Sequence, residues 1–162
     1  MTTTDKTNYP STGVSITCTL NSLGNSTTAA RQATVIDNSS NLYLDALLLI
    51  SVTTGPSGLA SPFAVYVYVS GSPDGTLFEQ DDNTLGASDA AYTLNNPSNM
   101  HLAMQLYCPT AGKVYNRICE VAPLFGGVMP YKWCPVVLNN TGASLSSSGN
   151  SIEYTPIYFT NA

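Results

Sequence analysis

Charged side chains are scarce in this sequence of 162 residues, of which only 15 are Asp, Glu, Lys or Arg. Their share of 9% compares with about 25% in ordinary soluble proteins. Ser, Thr and Asn together supply 51 residues, so the surface is expected to be polar but mostly uncharged. This composition excludes coiled coils and long charged helices. A chain of this length forms one domain with a substantial core.

Positive charge is especially sparse. The five cations are scattered along the chain, and the formal net charge is −5. They are Lys6, Arg31, Lys113, Arg117 and Lys132. Nucleic acids and anionic membrane surfaces bind clustered Lys and Arg side chains. We therefore expect neither a nucleic acid nor a membrane as a partner.

Long hydrophobic runs are also missing. The most apolar stretch, residues 43–52, is interrupted by Asp45 and Ser51. It is shorter than the roughly 20 apolar residues that a membrane-spanning helix needs. The first ten residues contain no apolar segment, so we expect no secretory signal there.

Cysteines occur without the close spacing of zinc sites or redox dithiols. The four are Cys18, Cys108, Cys119 and Cys134. Free cysteine is among the most frequently buried residues, so we expect four buried thiols. Assembly inside a cell would keep them reduced. A disulfide and a metal site remain as alternatives.

Alternating side chains dominate what the sequence does contain. In residues 63–69, Val65 and Val67 face one way while Tyr66 and Tyr68 face the other, so both faces of this strand should be covered. Residues 42–53 could form a helix or a buried strand, and the β-type neighbours favour a strand. Seven or eight strands are predicted, at residues 14–20, 32–36, 42–53, 63–69, 100–107, 114–121, 133–138 and 151–159.

No convincing amphipathic helix and no internal repeat accompany these strands. Short strands separated by turn residues predict an all-β fold, an antiparallel β-sandwich of the jelly-roll type. The domain is expected to span residues 14–162. An extended N-terminal arm, residues 1–13, should precede it because this stretch is polar and contains Pro10 and Gly13.

Two strands carry more specific predictions. Residues 100–107 should place Met100, Leu102, Met104 and Leu106 on one face. Pro135 has no backbone N–H, so residues 133–138 should form an edge strand or contain a bulge. Trp133 lies among apolar neighbours, and we expect it to be buried or at an interface.

Candidate chemistry is weak. His101 is the only histidine, and we interpret it as a surface or second-face residue with a hydrogen bond, because no nucleophile motif accompanies it. Half of the acidic residues fall between positions 74 and 89, namely Asp74, Glu79, Asp81, Asp82 and Asp89. We interpret this stretch as a solvated loop, with calcium binding or paired glycosidase carboxylates as alternatives.

Tyrosine is abundant, with ten residues. Seven lie in or beside predicted strands: Tyr66, Tyr68, Tyr107, Tyr115, Tyr131, Tyr154 and Tyr158. Packing in the core and on sheet faces should explain most of them, and protein interfaces or sugar stacking could use the others. We predict no catalytic, cofactor-binding or metal-binding residues, no cofactor and no enzymatic activity.

Five stretches, taken in order, resemble small virion structural proteins of tailed bacteriophages. The resemblance covers about residues 30–160, and its motifs are structural. The stretches are ARQAT at 30–34, DNSSNLYLDAL at 37–47, VYVYVSGSPDG at 65–75, FGGVMPYKW at 125–133 and VVLNNTGA at 136–143.

This resemblance implies a non-enzymatic virion protein that is assembled in the host cytoplasm, and the specific expectation is a capsid decoration (cement) protein. Its expected partners are the major capsid protein or another virion protein, together with copies of itself, a trimer being one option. Residues 1–13 would act as a strap that orders on docking. The alternatives are a neck, tail or fibre protein, and a carbohydrate-binding β-sandwich that uses tyrosines and Trp133.

Overall fold

The computed structural model describes residues 5–81 and 83–161, which form eleven strands and two short 3-10 turns. The turns are Pro97–Asn99 and Ala122–Phe125. The strands are β1 (Asp5–Asn8), β2 (Val14–Ser15), β3 (Ala29–Gln32), β4 (Ile36–Asp37), β5 (Asp45–Thr53), β6 (Ala64–Ser72), β7 (Ala90–Thr93), β8 (His101–Tyr107), β9 (Val114–Glu120), β10 (Lys132–Asn140) and β11 (Ser151–Asn161). No helix among the described residues is long and apolar enough to cross a membrane.

The strands form two antiparallel sheets. Sheet 1 has the order β1-β11-β5-β9, with β2 also paired to β11. Sheet 2 has the order β7-β3-β10-β6-β8, with β4 also paired to β10. The predicted all-β antiparallel sandwich is confirmed, while its jelly-roll type stays a prediction. In sequence, the strands pair from the two ends of the chain inward: β2 with β11, β3 and β4 with β10, β5 with β9, and β6 with β8.

The main core lies between the two sheets. Every second side chain of β5 points into it, and Leu48 and Ile50 are completely buried. The strand predicted for residues 42–53 is therefore confirmed, although it begins at Asp45. Trp133 is 1% exposed, and its ring packs edge-on against Tyr154 with centroids 5.5 Å apart. The predicted burial of Trp133 is confirmed.

A second core covers the outer face of sheet 2. Tyr66 and Tyr68 of β6 pack there against buried residues of β10. The chain between β6 and β8 closes this core, with Leu85, Tyr92 and Met100 buried in it. This arrangement confirms that both faces of residues 63–69 are covered. It also includes β7, a strand that the sequence analysis missed.

The pairing of β10 with β3 and β4 is interrupted opposite Pro135, in the middle of sheet 2. Its carbonyl accepts a hydrogen bond from the Ala33 N–H at 2.8 Å, so the position without an N–H faces β3 and β4. The register shifts by one residue there, because Val136 lies opposite Gln32 whereas Trp133 lies opposite Ile36. The extra residue lies on the facing segment, residues 33–35, and β10 itself pairs with β6 without interruption. The bulge predicted within residues 133–138 is therefore wrong, because the irregularity falls on the partner strand. The alternative of an edge strand is wrong, since β10 has neighbours on both sides.

A second bulge overturns the predicted face of β8. Met104 lies opposite Val67, but the next pair joins Tyr68 to Leu102 and skips Ala103. The alternation therefore reverses at this point. Met104 is buried in the main core, Leu102 is 50% exposed, and Met100 lies in the second core. The shared face predicted for the four residues was wrong.

Residues 14–20 were predicted to form a strand with alternate residues buried, and the structure shows part of this burial but only a short strand. Ile16 and Leu20 are buried, but regular pairing covers only β2. The Ile16 N–H donates to Ile152 of sheet 1, while the Thr17 carbonyl accepts from Thr34 beside sheet 2. This segment therefore crosses from one sheet to the other. Within the predicted arm, β1 pairs with the end of β11; residues 1–4 lie outside the described residues.

Candidate interaction surface

Apolar side chains are exposed where three loops meet at one end of the sandwich. These loops comprise residues 38–44, 73–79 and 121–131. We call five side chains of the first and third loops the loop-end surface: Leu42, Leu44, Val128, Met129 and Tyr131. Leu42 is 73% exposed and Val128 is 71% exposed. Val128 and Met129 line two neighbouring grooves, so the surface is continuous across them.

The larger groove has a volume of about 430 Å³. Phe125, Val128, Met129 and Tyr131 form most of its apolar wall, and Glu79 contributes a carboxylate. A largely apolar groove with a few polar groups is typical of a binding site. This geometry can accommodate an apolar side chain or a small ligand.

Asn38 holds the first loop in place. Its buried side chain accepts a hydrogen bond from the Tyr43 N–H at 2.8 Å and donates to the Tyr43 carbonyl. Its own N–H donates to the carbonyl of Tyr131 in the third loop. Leu42 has a φ of 50°, which is left-handed backbone that leucine adopts at a cost. The loop therefore presents an exposed leucine in a strained conformation.

The third loop is positioned by a 3-10 turn. The Asp45 carboxylate accepts hydrogen bonds from the N–H groups of Val121 and Ala122, at 3.1 and 2.7 Å. Phe125 then packs over Gly71, where a Cβ atom would lie 2.5 Å from the ring. A Cβ atom at position 71 would force the Phe125 ring to shift, and the close approach of this ring forms one wall of the groove.

His101 lies beside this groove. Its Nε2 is 3.3 Å from Oε1 of Glu79, and its ring contacts Phe125 with centroids 4.6 Å apart. The predicted surface position with a hydrogen bond is confirmed. The second Glu79 oxygen accepts from the Gly71 N–H at 3.2 Å. His101 thus contacts the Glu79 carboxylate and the Phe125 ring, which both line the groove.

The acidic residues between 74 and 89 are dispersed rather than clustered. Asp74 accepts hydrogen bonds from the N–H groups of Leu77 and Thr76, which lower its pKa. For Asp81, burial raises the pKa, but hydrogen bonds from Tyr92 and backbone N–H groups outweigh it and lower the pKa overall. Hydrogen bonds from Arg31 lower the pKa of Asp89 to about 2. Each carboxylate organises its own part of the loop.

The metal alternative finds no support in this loop. Within residues 5–81 and 83–161, no group of three His, Cys, Asp or Glu side chains could hold a metal ion. Asp82 lies outside the described residues. The alternative that two of these carboxylates act as a glycosidase pair stays a prediction.

All four cysteines are free thiols. Cys108 and Cys134 are buried, as predicted, while Cys18 and Cys119 are half-buried. Burial raises the pKa of Cys18 and Cys134 to about 12, and that of the other two to about 11. At neutral pH these thiols are protonated, so they act as small apolar side chains.

The aromatic residues divide into packing and exposed groups. Tyr154 is buried in the main core, and Tyr66 and Tyr68 are half-buried in the second core. Tyr131 is exposed on the loop-end surface. Trp133, proposed as a sugar-stacking ring in one alternative, is too deeply buried to offer its face to a ligand.

The sequence analysis missed the loop-end surface. Leu42 and Val128 sit within polar or glycine-rich stretches, where a single apolar residue gives no periodic signal. Apolar residues inside turn-rich loops are the one hint in the sequence, and they form a surface only when the first and third loops meet.

A scan against protein-family models found no match for the chain, and no curated protein showed significant similarity to it.

Proposed function

We propose that this chain is a non-enzymatic structural protein of a tailed-bacteriophage virion. In this proposal it is a decoration (cement) protein on the outer surface of the major capsid protein lattice. The observation that carries the proposal is the loop-end surface, where Leu42 and Val128 are exposed. Exposed apolar patches with a polar surrounding are typical of protein-binding sites.

The strain at Leu42 supports a docking role. A leucine that is both exposed and left-handed contributes little to folding, because it buries little apolar surface and pays a backbone cost. Strained backbone concentrates at functional positions. Burial of this side chain against a partner would recover the hydrophobic free energy that the free protein lacks.

The pairing of the strands also supports the proposal. The chain resembles a long hairpin rolled up, because strands pair from its two ends inward. We interpret this order as a jelly roll, an architecture found in viral capsid proteins and lectins. The bulged and short strands around this order do not alter it.

The charge distribution fits docking on a large assembly. The described residues contain three ion pairs, Arg31 with Asp89, His101 with Glu79, and Lys132 with Asp37. None of the five side chains of the loop-end surface is charged. Contact there would avoid the cost of removing charges from water. Binding to the assembled lattice in preference to free subunits would stabilise the head.

Co-sedimentation with purified heads that lack this protein tests the proposal. Wild-type protein should pellet with the heads, and the double variant Leu42→Ser, Val128→Ser should bind at least about tenfold more weakly. Phe159→Ser is the control, because Phe159 is also a strongly exposed apolar residue but lies on β11, outside the loop-end surface. Equal binding of the double variant and wild type would contradict the proposal, as would no binding of wild type.

A second candidate function is carbohydrate binding, favoured by one observation. The larger groove combines the exposed ring of Tyr131 with the carboxylate of Glu79, a pairing that can stack on a sugar and accept its hydroxyl hydrogen bonds. A glycan array with wild type and Tyr131→Ala tests it, with the exposed Tyr9→Ala as control. Binding that persists in Tyr131→Ala would exclude this groove.

A further inference from the structure

One edge of the sandwich is open. Strand β9 pairs with β5 on one side only and ends sheet 1 on the other. Ile118 and Val114 project from it with 59% exposure each. Its pairing with β5 runs through seven consecutive residue pairs without a bulge, and it contains no proline.

The other sheet edges carry features that discourage pairing with another chain. Strands β1 and β7 have four residues each, and β2 has two. Strand β8 has a bulge at Ala103, and Arg117 donates to the outward carbonyl of its Gln105 at 2.7 Å. Short strands, bulges and covered edges are the usual protection against edge pairing. Strand β9 equals β8 in length, with seven residues each, and is the most regular open edge among the described residues.

The hydrogen-bond pattern of β9 identifies the groups that face outward. The Val121 N–H donates to Ala46, and the Lys113 carbonyl accepts from Thr54. Odd-numbered residues therefore direct their backbone groups toward β5, and even-numbered residues direct theirs to the open edge. The outward set comprises Val114, Asn116, Ile118 and Glu120. An antiparallel strand can pair only with this set.

We propose that β9 of one molecule pairs antiparallel with β9 of a second copy, about a two-fold axis at Ile118. This register places Ile118 opposite Ile118 of the second copy. It also places Asn116 opposite Glu120 of the second copy, twice by symmetry. Sheet 1 then continues across the two molecules as one sheet, with an isologous interface.

Side-chain complementarity selects this register. Leu49 of β5 lies opposite Ile118. The two-fold axis therefore creates a continuous apolar row that runs from Leu49 through both Ile118 side chains to Leu49 of the second copy. Each Glu120 carboxylate meets an amide donor. A two-fold at Arg117 would oppose two guanidinium groups, and one at Asn116 would place two amides at the centre instead of apolar groups.

Sedimentation velocity on the full chain tests this inference, which is independent of the virion proposal. The wild type should sediment as a dimer, and Ile118→Lys should sediment as a monomer because two ammonium groups would oppose each other. Phe159→Lys is the control, since Phe159 has 61% exposure on the same sheet and lies outside the proposed interface. It should remain a dimer. Circular dichroism should show both variants folded.

Three results would overturn the inference: a monomeric wild type, a dimeric Ile118→Lys, or a monomeric Phe159→Lys. A cross-linking variant covers the case in which lysine disturbs folding. Ile118→Cys should form an intermolecular disulfide, because opposed hydrogen-bonded residues have Cα atoms about 5.5 Å apart. Asn116→Cys should not, because its copies would lie roughly 13 Å apart along the strands. Equal cross-linking of the two variants would contradict the register.

Discussion

Arg31 donates two hydrogen bonds to the carboxylate of Asp89, and the distance between Nη2 and Oδ2 is 2.7 Å. The Thr19 N–H donates to the same carboxylate at 3.2 Å. These contacts join β3 to the residue that precedes β7 and to the segment that crosses between the sheets. The pair is mostly shielded from solvent, since the Asp89 side chain is only 10% exposed. It therefore fixes the start of the layer that covers sheet 2.

The Arg31–Asp89 pair should make stability depend on pH. The folded pKa of Asp89 is about 2, below the roughly 3.9 of an unfolded aspartate. Its contribution is therefore complete above about pH 4 and is lost as the pH falls from about 4 to 2. At neutral pH, Asp89→Asn should lower the free energy of unfolding by about 2 kcal/mol.

Urea unfolding at several pH values measures this contribution. The difference between wild type and Asp89→Asn should shrink as the pH falls through that interval. Glu153→Gln provides a control on a half-buried carboxylate of β11 that lies outside the proposed β9 interface, and at neutral pH it should lower the free energy of unfolding by less than Asp89→Asn does. A difference for Asp89→Asn that is constant with pH would show that the ion pair does not stabilise the fold.

Leu42→Gly should separate stability from docking. Glycine relieves about 1–2 kcal/mol of left-handed backbone cost and loses about 0.5–1 kcal/mol of chain entropy. The free energy of unfolding should thus stay constant or rise by up to about 1.5 kcal/mol, while binding to heads weakens. Ser22→Gly is a matched control, because Ser22 also has a left-handed φ, 60°, and lies outside the loop-end surface. Loss of stability in Leu42→Gly would contradict the account of its strain.

Gly71→Ala should destabilise the wall of the larger groove. The new methyl group would collide with the Phe125 ring, at an unrelaxed distance of 2.5 Å. The cost should be about 1–3 kcal/mol. Adding Phe125→Ala should remove most of this penalty, which a double-mutant cycle would measure as coupling. Gly24→Ala has no heavy atom within 4 Å of the new Cβ and should change stability by at most about 0.5 kcal/mol. Additive effects at positions 71 and 125 would contradict the contact.

Trp133 should report folding by fluorescence. It is the only tryptophan and is 1% exposed, so native emission should be blue-shifted and poorly quenched by iodide. Unfolding should shift the emission to the red. Trp133→Ala should cost about 3–5 kcal/mol through the cavity it leaves. Red, readily quenched emission from the native protein would contradict the burial of this ring.

Strands in which apolar and polar or aromatic side chains alternate regularly were predictable from the sequence. The register with which they pair was less predictable. Val65 and Val67 against Tyr66 and Tyr68 indicated a strand covered on both faces, and the two cores confirm it. The bulge at Ala103 was hidden, because a bulge reverses a pattern without altering its composition. Strand β7 was missed since its four residues are too short for a periodic signal.

The candidate surface was less predictable than the fold. Burial of Trp133 followed from its apolar neighbours in sequence. The loop-end surface depends on two loops that are distant in sequence. The hydrogen bonds of Asn38 hold the first of these loops, in which Leu42 is exposed with a left-handed φ. The dispersal of the acidic residues likewise depends on contacts such as Arg31 with Asp89, which are 58 residues apart.

Immunogold labelling of intact particles from the producing phage, with an antibody against this chain, tests the central claim most directly. The account predicts dense label over the head, as expected of a decoration protein on the capsid lattice. Label confined to the neck, tail or fibres would contradict the decoration role and favour another virion position. Particles without label would contradict the virion assignment altogether.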